Sequence, residues 1–142
     1  MSYTLIIPTL ETKRLILRAP GPQDFEPFAE FYASPRAKFV GGPLTAEGAW
    51  RMLAMEIGHW TMKGFGRWTV TRKDDDTDTA IGMVGLFEPE GWPEPEIGWD
   101  LFTGAEGKGY ATEAGRAANR RVEIQISPLR ATSSVEQGNT AS

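Results

Sequence analysis

One stretch, residues 101–118 (LFTGAEGKGYATEAGRAA), constrains the fold of this 142-residue chain more than any other part. A strand-like run, Glu96–Phe102, leads into it, and a glycine-rich turn, Thr103–Gly109, follows. Small apolar residues then recur at intervals of three and four: Ala111, Ala114, Gly115, Ala118 and Val122. This spacing predicts a helix whose small-residue face can lie close to the surface that it covers.

The turn between this strand and this helix predicts an anion site. The first N–H groups of a helix have no intrahelical partner, and the helix dipole adds partial positive charge there. Gly107 and Gly109 have no Cβ, so a ligand could approach the backbone closely, and Lys108 adds a cation between them. Phosphate or pyrophosphate is the ligand that such a turn favours.

Three phosphate-binding motifs can be compared with the turn. A dinucleotide fingerprint requires a third glycine, and Thr112 stands at that position. A nucleoside-triphosphate P-loop requires a glycine where Phe102 stands. The third motif is similar along its whole length: residues 107–114, GKGYATEA, resemble the acetyl-coenzyme A loop of the GNAT acetyltransferases, in the subgroup of ribosomal-protein N-acetyltransferases.

The broader family pattern, Q/R-x-x-G-x-G/A, falls on Glu106, Gly109 and Ala111. Glu106 departs from it, because an acid stands where Gln or Arg is usual. That acid either weakens pyrophosphate binding or points to solvent. The resemblance implies acetyl-coenzyme A as cosubstrate, with a phosphate cradle at Gly107–Thr112 and a splayed strand at Trp99–Phe102. The predicted cofactor-binding residues are Trp99, Leu101, Phe102, Gly107, Lys108, Gly109, Tyr110, Ala111 and Thr112.

A second segment, far from the first along the chain, resembles the same family. Residues 10–18, LETKRLILR, are similar to its opening strand, T-x-R-L-x-L-R. The resemblance covers about residues 9–118. It stops there, since the pattern fades beyond Asn119 and the later strands of the family are not recognisable. We therefore expect an incomplete acetyltransferase-like domain at 1–122 and a poorly ordered tail at 123–142.

The periodicity between these segments predicts an α/β (α+β) fold. The family resemblance implies a mixed, mostly antiparallel central sheet flanked by helices, as in GNAT proteins, and we expect its C-terminal strands to be missing. The predicted strands are Arg14–Pro20, Arg67–Arg72, Ala80–Glu88 and Glu96–Phe102, and the predicted helices are Gln23–Ala33 and Ala46–Thr61. Thr45 is expected to cap the second helix, whose core stripe would be Trp50, Leu53, Ala54, Ile57 and Trp60.

Composition narrows the function classes. A net charge of −4 disfavours nonspecific nucleic-acid binding and favours cationic partners such as amines. The chain has no cysteine, which excludes disulfides, and its single histidine argues against a zinc site. It has neither a bilayer-length apolar run nor the form of a signal peptide, so we expect a cytoplasmic protein.

The family resemblance implies transfer of acetyl from acetyl-coenzyme A to an amine, which needs a base. Glu96 is the predicted base because it shares one strand face with Gly98 and Asp100. The alternative is a surface carboxylate without a catalytic role, and Glu94 and Asp100 are weaker candidates. The family's usual general acid is a later tyrosine. No tyrosine follows Tyr110, which either donates a proton or packs.

Other aromatic residues have more than one interpretation. Trp92 lines the acceptor pocket or packs at an edge. His59 is expected on a helix surface, and the tryptophans at positions 50, 60, 68 and 99 are expected to pack. The acceptor is a protein N-terminus or a small-molecule amine. The alternative function is a noncatalytic coenzyme A-binding or interaction protein, and a homodimer would cover the exposed edge of a shortened sheet.

Overall fold

The structure, a computed structural model, describes residues 5–102 and 104–122. Its centre is an antiparallel sheet of five strands whose order in space follows their order in the chain. The strands are β1 (Leu10–Glu11), β2 (Leu15–Arg18), β3 (Arg67–Arg72), β4 (Gly82–Phe87) and β5 (Glu96–Leu101). Within the described residues β5 pairs with β4 alone, so it forms an edge of the sheet.

Helices flank this sheet. Helix α1 is Phe25–Ala33, helix α2 is Ala46–Lys63, and helix α3 runs from residue 110 to residue 122, the last one described before the C-terminus. The predicted cap of α2 is confirmed, since the Thr45 hydroxyl accepts a hydrogen bond of 3.1 Å from the Gly48 N–H. Gly64, in the left-handed region at φ +80°, ends the same helix.

Each face of the sheet has its own apolar core. On one face, the small-residue stripe of α3 packs against side chains of β2, β3 and β4: Leu15, Leu17, Trp68, Val70 and Val84 meet Ala114, Ala117 and Ala118. On the other face, α1 and α2 cover Met83 and Phe102 with Phe28, Phe31, Tyr32 and Leu53. The predicted fold class, an α/β protein with a mostly antiparallel sheet between helices, is therefore confirmed.

The orientation of α2 differs from the prediction. Its buried residues are Ala49, Leu53, Glu56, His59 and Trp60, whereas Trp50 is 61% exposed. The periodicity was misleading because two polar side chains, Glu56 and His59, occupy core positions and shift the buried stripe around the helix. The expected packing of Trp99 is also wrong: this residue is 55% exposed because it lies on the edge strand.

The predicted tail at 123–142 and the predicted loss of C-terminal strands fall outside the described residues. Among the residues that are described, no helix has both the length and the apolar character that crossing a membrane requires.

Candidate active site

The glycine-rich turn carries the chain from the edge strand β5 into helix α3. Gly104, Gly107 and Gly109 all have positive φ, at +89°, +80° and +78°. Such angles lie in the left-handed region, where a Cβ is disfavoured, so these positions favour glycine. The Glu113 N–H donates to the Gly109 carbonyl at 3.1 Å, which closes the first turn of the helix.

The two family-like segments meet at Glu113. One carboxylate oxygen, Oε2, accepts hydrogen bonds from the Thr12 hydroxyl and, at 2.8 Å, from the Arg14 N–H. The other, Oε1, accepts from Arg14 Nε at 2.7 Å. Burial by itself would raise the pKa of Glu113, but these hydrogen bonds from Thr12 and Arg14 outweigh it and lower the pKa to about 2. Glu113 is therefore an ionised anchor of the helix start.

Arg14 extends this anchor to the turn itself. Its Nη1 donates to the Lys108 carbonyl at 3.0 Å, and its guanidinium carbon lies 4.6 Å from the centre of the Tyr110 ring. Tyr110 is 8% exposed and belongs to the core under α3. The segment before β2 thus holds the turn through backbone and ring contacts.

A basic groove lies beside the helix start. It has a volume of about 440 Å³, and its charged and polar lining includes Lys13, Arg14, Thr112, Arg116 and Arg120. Arg116 and Arg120 are exposed and follow Thr112 at successive intervals of four, so the three residues share one side of α3. Sequence reasoning missed these arginines as site residues, although the interval of four was a visible signal.

The predicted cofactor residues divide into two groups. Gly107, Lys108, Gly109, Thr112 and Trp99 are exposed, and Ala111 and Leu101 are half-buried. Phe102 and Tyr110 are buried in the two cores, and both line a cavity of about 270 Å³ beside the turn.

Glu106, the departure from the family pattern, is exposed and faces a cation. Arg36 Nε lies 3.6 Å from its carboxylate, and Arg36 Nη1 donates to the Leu101 carbonyl at 3.0 Å. Backbone N–H groups, first that of Glu106 itself, lower the pKa of this carboxyl group, and Arg36 lowers it further. The acid is paired locally and does not stand alone beside the turn.

A second, larger cavity, which we call the acidic cavity, opens beside residues 96–100 of β5. Its volume is about 580 Å³, and Glu96, Gly98 and Asp100 all line it, as do Trp92 and Trp99. Trp92 also packs edge-to-face on Phe87, with ring centres 5.6 Å apart. The structure therefore places Glu96 and Trp92, two separate sequence candidates, on the same cavity wall.

Buried charges lie at the inner wall of the acidic cavity. Arg67 donates to Glu56 through Nε at 3.1 Å and also through Nη2, and its Nη1 lies 3.1 Å from Asp100 Oδ2. The Tyr32 hydroxyl donates to the same Oδ2 at 3.4 Å. The residues come from α1, α2, β3 and β5, so only the folded chain brings them together.

Burial and the neighbouring charges shift the pKa values of the groups in this network. Burial raises the pKa of Glu56, with Arg67 opposing the shift, and it raises the pKa of Tyr32, helped by Asp100. Burial alone would lower the pKa of Arg67, but the Glu56 and Asp100 carboxylates raise it above the ordinary value. Arg67 is thus a permanent cation and Tyr32 a permanent donor.

His59 is a buried structural residue of helix α2, and the expectation of a surface position is wrong. It is 5% exposed, and its Nε2 accepts a hydrogen bond of 3.0 Å from the Glu88 N–H. The other nitrogen, Nδ1, lies 2.8 Å from the Phe65 carbonyl, which fixes the neutral tautomer as a donor at Nδ1. The ring stacks on Phe87, with centres 4.8 Å apart.

Among residues 5–102 and 104–122, no group of three or more His, Cys, Asp or Glu side chains is placed to hold a metal ion.

Comparison with known proteins places these features in a family. The family described as "Acetyltransferase (GNAT) domain" matches residues 14–142, so its match extends beyond residue 118, where the recognisable motifs end. A crystal structure of an acetyltransferase from Agrobacterium tumefaciens str. C58 is 34% identical, with a TM-score of 0.77; the alignment covers 89% of this chain and 73% of that one. A putative GnaT-family acetyltransferase from Bordetella pertussis is 25% identical over 83% of this chain and 72% of its own, with a TM-score of 0.67.

A ribosomal-protein-S5-alanine acetyltransferase from Vibrio fischeri shares the fold at lower similarity. It is 17% identical, with a TM-score of 0.59, and the alignment covers 87% of this chain and 69% of that one.

Proposed function

Because the chain belongs to the GNAT acetyltransferase family, we propose that it transfers an acetyl group from acetyl-coenzyme A to a primary amine. The observation that carries this proposal is the position of the glycine-rich turn. It follows the edge strand β5, with the basic groove beside the helix start and the acidic cavity along the strand.

The turn suits the phosphates of a coenzyme A molecule. A Cβ built on Gly107 would meet no atom within 4 Å, so the space over this backbone is open. Lys108 is exposed next to it, and Lys13, Arg116 and Arg120 add positive charge in the basic groove. Together with the free N–H groups of the first turn of α3, these cations favour a polyanion.

The edge strand would serve the rest of the cosubstrate. Within the described residues β5 uses one side for β4, so backbone groups on its other side are open to pantetheine, apart from the Leu101 carbonyl, which accepts from Arg36. Acetyl-coenzyme A supplies the activated acetyl group. The Phe102 N–H already donates to the Ile81 carbonyl at 2.8 Å, so an N–H earlier in the Trp99–Phe102 stretch would stabilise the negative charge that develops on the acetyl oxygen.

Glu96 is the proposed base. Its exposed carboxylate lies on the wall of the acidic cavity, at the start of the strand that leads to the turn. It would take a proton from the acceptor ammonium, directly or through a water molecule, so that a neutral amine could attack. Tyr110 is buried beneath Arg14, so we assign it to packing and leave the general acid unassigned.

Calorimetry with matched glycine variants tests the cosubstrate site. Acetyl-coenzyme A and coenzyme A should both bind to the wild-type protein. Gly107→Trp should abolish binding by filling the space over the turn. Gly64→Trp is the control, because Gly64 has the same φ of +80° and equally open space but ends helix α2. Absence of binding at millimolar concentration, or equal loss in both variants, would contradict the proposed site.

Turnover separates the enzyme from a second candidate function. A panel of N-terminal peptides, polyamines and aminoglycosides should show release of coenzyme A with at least one acceptor. The second candidate is a noncatalytic coenzyme A-binding protein that dimerises, and the edge strand with Trp99 exposed favours it. Binding without turnover, together with a dimer by light scattering, would support that candidate. A cytoplasmic location is part of the proposal.

A further inference from the structure

The acidic cavity has more carboxylates than cations. Glu96 and Asp100 line it, and Glu56 lies behind Arg67, 0% exposed. Among the described residues that line the cavity, Arg67 is the only basic one, and two of its nitrogens are bound to Glu56. The Arg67 guanidinium therefore pairs with two buried carboxylates, and its contact with Asp100 is through Nη1 alone.

Asp100 keeps one oxygen open. The residue is 6% exposed, and both of its polar contacts, from Arg67 and from Tyr32, fall on Oδ2. The structure shows no hydrogen-bond or ion-pair partner for Oδ1 within residues 5–102 and 104–122. Oδ1 is not among the fully buried polar atoms that lack a partner in the described residues, so it is open to the cavity that Asp100 lines. A carboxylate oxygen that faces a cavity in this way can accept hydrogen bonds from a bound ammonium group.

The rest of the cavity is apolar. Of the eight large apolar side chains that are exposed in the described part of the chain, four lie on its wall: Phe39, Val40, Trp92 and Trp99. Met52 and Met55 add flexible apolar surface from α2. Such a concentration of exposed apolar groups around one opening is typical of a binding site. A volume of about 580 Å³ fits a small organic molecule.

We propose that the acidic cavity binds a primary amine with an apolar body, and that Asp100 holds its ammonium group. The inference rests on the proposed function in one respect, since it names the class of amine that accepts the acetyl group. The indole rings of Trp92 and Trp99 contact the apolar body. Asp100 is then a specificity-determining residue, separate from Glu96, which lies nearer the start of the same strand.

Binding of uncharged and charged isosteres tests this directly. The probes are 2-phenylethylamine and 2-phenylethanol, titrated calorimetrically into the full chain with coenzyme A present and absent. The ammonium should bind about tenfold more tightly or better, the scale of a hydrogen bond to a charged group. Equal affinity for the amine and the alcohol would overturn the proposal, and this comparison needs no variant.

Variants of the protein test whether the Asp100 carboxylate causes the preference for the amine over the alcohol. Asp100→Asn should reduce the preference for the amine to less than about threefold while the affinity for the alcohol stays nearly unchanged. Glu90→Gln, which removes an exposed carboxylate from the loop before β5, is the matched control and should keep the preference. A preserved preference in a folded Asp100→Asn protein would exclude Asp100 as the binding group.

Two further probes define the rest of the acceptor. Spermidine binding more tightly than 2-phenylethylamine would overturn the apolar-body part of the proposal. A pentapeptide with N-terminal phenylalanine carries the same chemistry, and tighter binding of this peptide would support a polypeptide N-terminus over a free amine as its source. These readouts are affinities, so a failure of acetyl transfer, seen as no turnover, remains distinguishable from a failure of amine binding.

Discussion

The glycine-rich turn and the acidic cavity lie along the same strand, yet they are built in opposite ways. The turn is one contiguous stretch in which residues 104 and 106–109 are exposed, and the groove beside it is basic. The cavity collects side chains from α1, α2, β3 and β5 and buries several charges. A site made of backbone leaves a continuous sequence signature, whereas a site made of distant side chains depends on the whole fold.

Loss of Arg67 should have the largest effect, and it should fall on the cavity. Arg67→Met leaves Glu56 and Asp100 buried without their cation, and breaking a buried ion pair in this way costs about 3–5 kcal/mol. Urea unfolding measures the loss of free energy. The control is Arg51→Met, which breaks an exposed pair with Glu47 and should cost only about 0.5 kcal/mol. Similar losses in both variants would contradict the structural role given to the buried network.

Loss of Glu96 tests whether the cavity also carries the chemistry. Glu96→Gln should lower turnover about 10²-fold, the usual scale for a general base, with little change in coenzyme A affinity. The reason is that Glu96 opens β5, at the end opposite the turn, so the cosubstrate does not depend on it. Steady-state kinetics and calorimetry measure the two quantities.

The matched control for Glu96 is Glu90→Gln, which removes an exposed carboxylate outside the cavity. Its turnover should be close to that of the wild type. If Glu96→Gln also turns over at that rate, Glu96 is a surface carboxylate, and solvent or a backbone carbonyl acting through water would accept the proton.

The same contrast explains what the sequence could predict. The turn, the small-residue face of α3 and the antiparallel strands follow from local spacing and from a contiguous motif. The buried face of α2 does not, because Glu56 and His59 interrupt the apolar periodicity and find their partners far along the chain, at Arg67 and Glu88. Trp50 therefore seemed a core residue although it is exposed. The link from Glu113 to Arg14 is long-range too, and no local pattern predicts it.

Loss of the Glu113 carboxylate should have an intermediate effect on stability, because Glu113 connects the start of α3 to distant residues. Glu113→Gln removes the charge that binds Thr12 and Arg14, and it should lower the free energy of unfolding by about 2 kcal/mol at neutral pH. The pKa of Glu113 is lowered in the folded state to about 2, so its contribution is complete above the ordinary value of about 4.3 and is lost as the pH falls towards 2.

Urea unfolding between pH 7 and pH 3 checks the sign of this effect. The difference in stability between wild type and Glu113→Gln should narrow as the pH falls below about 4.3, because Glu113 of the unfolded wild-type chain then takes up a proton while that of the folded protein stays ionised. A difference that stays constant over this range would show that the charge of Glu113 does not hold the helix start.

The smallest effect is expected for Gly107→Ala, a variant that separates backbone strain from ligand binding at the turn. Gly107→Ala adds one methyl group at φ +80°, in open space, so it should cost about 1 kcal/mol through backbone strain alone. Gly64→Ala adds the same group at the same φ, also in open space, and should lose a similar free energy of unfolding.

If the turn binds phosphate through its backbone, Gly107→Ala should also weaken coenzyme A binding several-fold, because the strain and the Cβ both act where the ligand approaches. Gly64→Ala should bind coenzyme A like the wild type. Equal affinity in the two variants would mean that the exposed cations of the basic groove, and not the backbone of the turn, hold the phosphates.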